Sequence, residues 1–318
     1  WLAVSQNGTT FTYVAQTATS NEAVFEIVFD TSDNSYQFEL FKPLKHPDGA
    51  NENAIDLDFS IVAEDFDQDQ SKAIDLKITV TDDVPTITDT TVASTFVVDE
   101  GDLGSVIAQA TGSFVTTEGA DQVEVYELRN ISMLEATLSS GNEGIKITEI
   151  TGAANTTTYQ GTTDSSGTPI FTLVLTDDGA YTFTLLGPLN HATTPSNLDK
   201  LTMLFDVVAV DGDGDDSNQY VLPIEVLDDA PTITDTTVAS TFVVDEDDLG
   251  SVVAQATGSF VTTEGADQVE VYELRNVATL ETTLTSGNEA ISITEVTGAA
   301  NTTTYQGATT SGTPIFTL

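Results

Sequence analysis

The chain has 318 residues, and its 51 Asp and Glu against 8 Lys and Arg give a formal net charge of −43. This charge excludes nucleic-acid binding, which needs a basic surface, and argues against binding to anionic membranes. Cysteine is absent, which excludes a disulfide framework and thiol chemistry.

The sequence repeats itself at a spacing of 146 residues. The segment 83–173 returns as 229–318 with about a dozen substitutions and one deletion, and the opening residues match the second half of the same unit. Repetition at a fixed period indicates an array of domains. We therefore predict the C-terminal part of one repeat at 1–83, a complete repeat at 84–229 and the N-terminal part of a third at 230–318.

Segments rich in β-branched and aromatic residues follow one another through the complete repeat, and several alternate polar with apolar residues. In chain order they are 94–100, 105–115, 122–128, 144–150, 156–161, 169–175, 180–186, 201–210 and 220–227. Turn sequences separate them, among them Asp178-Gly179 in a tight hairpin. No segment shows a helical period, and the apolar blocks disfavour disorder. The pattern predicts an all-β fold: tandem immunoglobulin- or cadherin-like β-sandwich repeats of about 146 residues.

Three kinds of acidic cluster recur once per repeat and are the candidate metal ligands. The D-x-D-x-D loops hold Asp65, Asp67 and Asp69, then Asp211, Asp213 and Asp215. The Asp-Asp-x-Pro joints between repeats hold Asp82 and Asp83, then Asp228 and Asp229. Asp-Glu pairs follow the first strand of each later repeat: Asp99 and Glu100, then Asp245 and Glu246. Calcium takes six to eight oxygen ligands, so these clusters predict Ca²⁺ as the cofactor.

Other interpretations of these acids remain open. The loops are not EF-hands, because positions six and twelve lack the required Gly and Glu. The clustered acids could equally be solvated loop residues. Asp177 and Asp178 are interpreted as plain turn residues. His46 and His191 occupy matching places, where a structural role is more typical than a metal-binding one. No nucleophile–base pair recurs, so we predict that the chain is not an enzyme.

A family resemblance rests on PIFTLVLTDDGAYTFTLLGPLNH, FDVVAVDGDGDDS and VLDDAP in the complete repeat. The first part keeps FELFKPLKHPDGANEN and DFSIVAEDFDQDQS. The repeat resembles the type I secretion target repeats of giant RTX adhesins of Gram-negative bacteria. The resemblance implies type I secretion, display on the bacterial cell surface and calcium-dependent folding outside the cell. The loop Asp65-Phe66-Asp67-Gln68-Asp69 departs from the pattern because it has no glycine.

From these observations we expect structural extender repeats of a large secreted adhesin or surface fibre, stiffened by calcium at the joints. The expected partners are neighbouring repeats of the same chain, without nucleic acid and without membrane insertion. The alternative is a set of repeats that themselves bind a surface or carbohydrate, or that assemble with identical chains into an extracellular filament.

Overall fold

The computed structural model describes residues 2–47, 52–91, 95–104, 107–150, 152–192, 199–236, 243–250, 254–296, 298 and 302–318. The chain divides into two compact units. The first comprises 1–194 and 199–227, and the second comprises 195–198 and 228–318. The first unit therefore contains both the first partial repeat and nearly all of the complete repeat. The predicted domain boundaries at 83/84 and 229/230 remain predictions.

The fold is all-β, as predicted, and nearly all of its regular structure is strand. The strands are β1 (Leu2–Asn7), β2 (Thr10–Gln16), β3 (Ala23–Asp30), β4 (Ser35–Leu40), β5 (Ala54–Ile61), β6 (Ile74–Thr81), β7 (Thr86–Thr90), β8 (Val97–Asp99), β9 (Gln109–Thr117), β10 (Val123–Arg129), β11 (Ser139–Ser140), β12 (Glu143–Ile150), β13 (Thr156–Thr163), β14 (Pro169–Thr176), β15 (Ala180–Leu185), β16 (Lys200–Asp211), β17 (Tyr220–Leu227), β18 (Thr232–Thr236), β19 (Phe260–Thr263), β20 (Thr285–Ser286), β21 (Glu289–Val296), β22 (Thr304–Thr309) and β23 (Pro314–Thr317).

The complete repeat is a sandwich of two sheets. One sheet has the order β11-β12-β13-β14-β15-β9-β7, and the other has the order β10-β16-β17-β8. Their inner faces meet at an aromatic cluster in which Phe171 and Phe183 of the first sheet contact Phe205 of the second, with ring centroids 5.9 and 6.0 Å apart. All three rings are buried. Burial of alternate residues along β15 and β17 matches the period of two expected for strands with one buried face.

All nine predicted segments of the complete repeat contain a strand, although Ser94, Ser105 and Val106 lie outside the described residues. The predicted hairpin is confirmed, because Gly179 has a φ of +83° and its amide donates to the Thr176 carbonyl at 2.8 Å. β7 and β11 were not predicted. Two short helices also occur, α1 (Ile131–Glu135) and α2 (Val277–Glu281), in segments whose sequence shows no helical period. Neither has the length that a membrane span requires, and the described residues hold no such helix.

The first partial repeat forms the sheet β1-β2-β3-β4 and the hairpin β5-β6. By sequence alignment these strands correspond to β12 through β17 of the complete repeat. The second unit forms β18-β19 and β20-β21-β22-β23, which correspond to strands from β7 to β14. Each D-x-D-x-D loop therefore follows the same strand, β5 in the first partial repeat and β16 in the complete repeat.

Candidate metal centre at the joint between repeats

The loop after β16 has a fixed conformation that begins with Asp211. The Asp211 amide donates to the Asp215 carbonyl at 3.2 Å, and the Asp215 amide donates to Oδ1 of Asp211 at 2.9 Å. Gly214 has a φ of +92°, a conformation that glycine adopts without steric cost. Ser217 closes the loop, since its amide donates to the Ala209 carbonyl and its hydroxyl accepts the Ala209 amide. The local sequence thus holds the acids of this loop in a tight turn.

Two further contacts anchor this loop to neighbouring strands. The Arg129 guanidinium at the end of β10 donates twice to the Asp216 carboxylate, at 3.0 and 2.7 Å. The Asn218 side chain accepts the Ile87 amide and donates to the Ile87 carbonyl, both at 2.9 Å. The loop is therefore tied both to β10 and to β7, the strand that follows the joint.

Asp82 brings the joint to this loop. Its amide donates to the Asn53 carbonyl at 2.8 Å, which fixes the chain just after β6. Ligand oxygens of Asp82, Asp213 and Asp215 lie within 4.8 Å of one another. Asp82 belongs to the first predicted repeat and the other two to the complete repeat. The three acids therefore join residues of two successive repeats in one cluster, which we call the joint cluster.

The joint cluster is buried, with exposed fractions of 6% for Asp82, 5% for Asp213 and 1% for Asp215. Oδ2 of Asp82, Oδ1 of Asp213 and both carboxylate oxygens of Asp215 receive no hydrogen bond from an N–H or alcohol donor of the described residues. Two like charges about 4 Å apart repel by about 4 kcal/mol at an effective dielectric constant of about 20. Buried carboxylates without partners are costly unless a cation or proton compensates them.

His46 places a basic side chain beside these acids. Its ring is buried, with Nδ1 3.0 Å from Oδ1 of Asn53 and 3.9 Å from Oδ2 of Asp82. Its backbone amide donates to Oδ2 of Asp213 at 3.2 Å. His46 thus packs the first repeat against the joint cluster, and even a protonated imidazole would neutralise only one of the three carboxylates.

Burial raises the pKa values of Asp82 and Asp211. The pKa of Asp82 is raised by burial and then by the charge of Asp213. The pKa of Asp211 rises to about 6, because of burial and because of its hydrogen bond and repulsion with Asp213. These shifts have the direction expected of acids that lack a compensating cation. The donor set of carboxylate oxygens fits a hard divalent cation such as Ca²⁺.

Asp121 is a member of the site that sequence reasoning missed. Oxygens of Asp82, Asp83 and Asp121 form a second group within 4.8 Å, which shares Asp82 with the joint cluster. Burial, together with the charges of Asp213 and Asp83, raises the pKa of Asp121. One feature of the sequence pointed to it, because an identical acid, Asp267, recurs at the repeat spacing. In the structure, Asp121 lies just before β10, where Val123 pairs with Asp211.

The predicted pair Asp99 and Glu100 lies outside the joint cluster. Asp99 caps a 3₁₀ helix, Glu100–Asp102, by accepting the Gly101 amide. Glu100 is fully buried, and its Oε1 accepts the Leu189 amide at 2.8 Å and lies 3.3 Å from Nε2 of His191. Asp99 thus stabilises the 3₁₀ helix, and Glu100 connects that helix to the segment after β15. The assignment of both residues as metal ligands remains a prediction.

Four further predicted ligands lie in the second unit: Asp228, Asp229, Asp245 and Glu246. Oδ2 of Asp229 accepts the Ala266 amide at 2.8 Å, just as Oδ2 of Asp83 accepts the Ala120 amide at 2.9 Å. Asp228, its neighbour, is half-buried. Asp245 caps a 3₁₀ helix by accepting the Asp247 amide, and Glu246 begins that helix with its side chain exposed. The joint residues thus keep one local contact in both copies.

The first loop brings Asp65, Asp67 and Asp69 together, also within 4.8 Å, but all three are exposed. Phe66 at its tip is fully exposed as well.

The chain matches no protein-family model, no curated protein and no solved structure. The function of the joint cluster therefore has to be inferred from its own residues.

Proposed function

We propose that this chain is a set of structural extender repeats of a large secreted, calcium-dependent bacterial adhesin or surface fibre. Calcium bound at the joint would fix successive repeats relative to each other. The proposed role is not enzymatic: it consists of holding a more distal part of the protein away from the cell. Near-identical consecutive copies suit a spacer, since one binding site would need only one copy.

The observation that carries the proposal is the set of buried, unpartnered carboxylate oxygens of Asp82, Asp213 and Asp215. Because Asp82 follows β6 and the other two follow β16, a cation held by all three would tie two repeats together. Without the ion, repulsion between these carboxylates favours separation of the two segments. Inter-domain contacts within a chain are commonly small, so motion is the default expectation unless something fixes the joint.

Calcium is the cation that fits best. The candidate ligands are carboxylates, the hard oxygen donors that calcium prefers, and the chain has no cysteine to supply a soft thiolate ligand. Extracellular calcium modules commonly bind at about 10⁻⁴–10⁻³ M, a range in which the protein would fold and stiffen only after leaving the cell. The secreted location and the adhesin assignment rest on the sequence resemblance.

Small-angle X-ray scattering on the 318-residue chain tests the proposal. Adding millimolar calcium to metal-free protein should increase the maximum particle dimension, with little change in the circular dichroism spectrum. Asp82→Asn should abolish the increase, because it removes charge from the acid that connects the repeats. Glu118→Gln is the matched control, since Glu118 is an exposed acid outside the joint cluster. An unchanged dimension in wild-type protein would contradict the stiffening role.

A further inference from the structure

We infer that the joint holds two divalent cations rather than one, with the Asp82 carboxylate bridging them and Asp121 binding the second. This inference rests on the proposed calcium-binding function and extends it to a site for which the sequence pattern names no complete ligand set. The first position is the joint cluster of Asp82, Asp213 and Asp215. The second position is the group of Asp82, Asp83 and Asp121.

The two positions are separate groups that share a single residue. Within each group the ligand oxygens lie within 4.8 Å of one another. Asp82 is nine-tenths buried, and its Oδ2 has no hydrogen-bond partner among the described residues. Within the same part of the chain, its Oδ1 accepts the Asp83 amide at 2.9 Å. An ionised carboxylate offers about four lone-pair sites, so Asp82 has free acceptor capacity for more than one cation.

The charge of the site also favours two ions. Asp82, Asp83, Asp121, Asp213 and Asp215 contribute five carboxylates to the two groups. One divalent cation would leave a net charge of −3 in a largely buried space, and two would leave −1. The His46 imidazole lies beside the site, with Nδ1 3.9 Å from Oδ2 of Asp82, and a single positive charge on it would not replace a second divalent ion.

The turn that carries Asp121 is shaped to lie against Asp83. Gly119 has a φ of +76°, and a Cβ at this position would lie 2.7 Å from Oδ2 of Asp83. A side chain at this position would have to adopt a strained backbone conformation and displace the carboxylate that accepts the Ala120 amide. Gly265 and Asp229 repeat the arrangement in the second unit, with a φ of +73° and a distance of 2.8 Å. The same turn is thus presented to the second joint acid in both copies.

Counting bound calcium tests the inference. Equilibrium dialysis with radioactive calcium should be done on the 318-residue chain at physiological ionic strength, which screens exposed acids. Relative to wild type, Asp121→Asn should lose one ion per chain, Asp215→Asn should lose one, and Asp82→Asn should lose two. Glu118→Gln, which removes one charge from the same turn as Asp121, should lose none. Asp121→Glu should restore the count, because it returns the carboxylate.

Each contrary outcome has a distinct meaning. If Asp121→Asn binds as many ions as wild type while Asp215→Asn loses one, the second site is overturned and the proposed function stands. If neither variant loses an ion, the proposed calcium joint itself fails. If Asp121→Asn loses as many ions as Asp82→Asn, the two positions are one shared site and the inference is wrong. Should Asp82→Asn fail to fold by circular dichroism, the two single-ion variants still decide between these outcomes.

Discussion

The two D-x-D-x-D loops have the same backbone and different surroundings. In both, the amide of the first Asp donates to the carbonyl of the third, at 3.1 Å for Asp65 and 3.2 Å for Asp211. In both, the first carboxylate accepts the amide of the third Asp at 2.9 Å. In spite of this, the first loop is exposed and the second is buried against Asp82 and His46. The loop conformation is local, whereas the buried site depends on residues more than 100 positions away.

Electrostatics separates the two loops further. Hydrogen bonds with the Asp67 side chain and from the Asp69 amide lower the pKa of Asp65. At the equivalent position, burial raises the pKa of Asp211. The comparison shows that three alternating acids specify the loop conformation. An acid from the neighbouring repeat, Asp82, makes the second loop part of a buried candidate cation site.

The largest difference between the loops should appear in calcium-dependent stability. At calcium one hundred times above its dissociation constant, one ion bound only by the folded state adds about 2.7 kcal/mol. For a unit of this size that corresponds to about 5–10 °C in Tm. Asp213→Asn with Asp215→Asn should remove a shift of this size between calcium and chelator. Asp67→Asn with Asp69→Asn should change it little, and calorimetry measures both.

The same calorimetric measurement can contradict the expected difference between the two loops. In chelator, the double variant at Asp213 and Asp215 should be at least as stable as wild type, because it relieves repulsion between buried carboxylates. If instead both double variants lose the calcium shift equally, the exposed loop binds calcium as well as the buried one, and burial is not what distinguishes them.

Exchanging the second residues of the two loops, Phe66 and Gly212, should give the second-largest difference in stability. A Cβ at Gly212 would lie 3.2 Å from the Asp121 carbonyl oxygen, so Gly212→Phe must displace the turn that carries Asp121. Overpacking of this kind typically costs about 1–3 kcal/mol. Phe66→Gly changes a fully exposed side chain and should cost less than about 1 kcal/mol. Denaturant unfolding in calcium compares the two, and an equal cost would contradict the packing explanation.

The opposite pKa shifts predict opposite pH dependences in metal-stripped protein. Since the folded-state pKa of Asp211 is raised to about 6, the folded state binds more protons, and this contribution to stability is lost as pH rises from about 4 to 6. One unit of pKa shift corresponds to about 1.4 kcal/mol, and we expect an effect of about this size. Asp211→Asn should remove it, as thermal melts between pH 5 and 7 would show. Asp65→Asn should leave the pH dependence between pH 5 and 7 unchanged. Because the pKa of Asp65 is lowered, its contribution to stability is lost only as pH falls below that window.

The smallest effect concerns the anchoring of each loop. Arg129 binds Asp216 with two hydrogen bonds. Gln70, which occupies the position of Asp216 in the first loop, donates instead to Glu64 at 2.9 Å. Arg129→Lys keeps the charge and loses the two-point geometry. Because this ion pair is about one-third exposed, we expect a cost of at most about 1 kcal/mol. Gln70→Ala should cost less, and chemical denaturation distinguishes the two.

The sequence predicted the features that depend on neighbouring residues. Alternation and β-branched composition predicted the strands of the complete repeat, and Asp178-Gly179 predicted its hairpin. α1 was missed because five residues are too few to show a helical period. β7 was missed because its five residues, Thr86–Thr90, are mostly polar. The burial of Asp213 and Asp215 could not be predicted, since it requires Asp82 and His46 to approach from another repeat, and neither local composition nor period encodes that contact.

The parallel pairing of β8 with β17 has a consequence for a chain under tension. The three residues of β8 pair with the end of β17 over three positions, from Glu225–Val97 to Leu227–Asp99. Tension along the array would pull β8 through its upstream end and β17 through its downstream end. Parallel strands pulled at opposite ends slide past each other, so their hydrogen bonds are loaded together rather than opened one after another. The complete repeat would therefore resist stretching in part by shear between β8 and its last strand, β17.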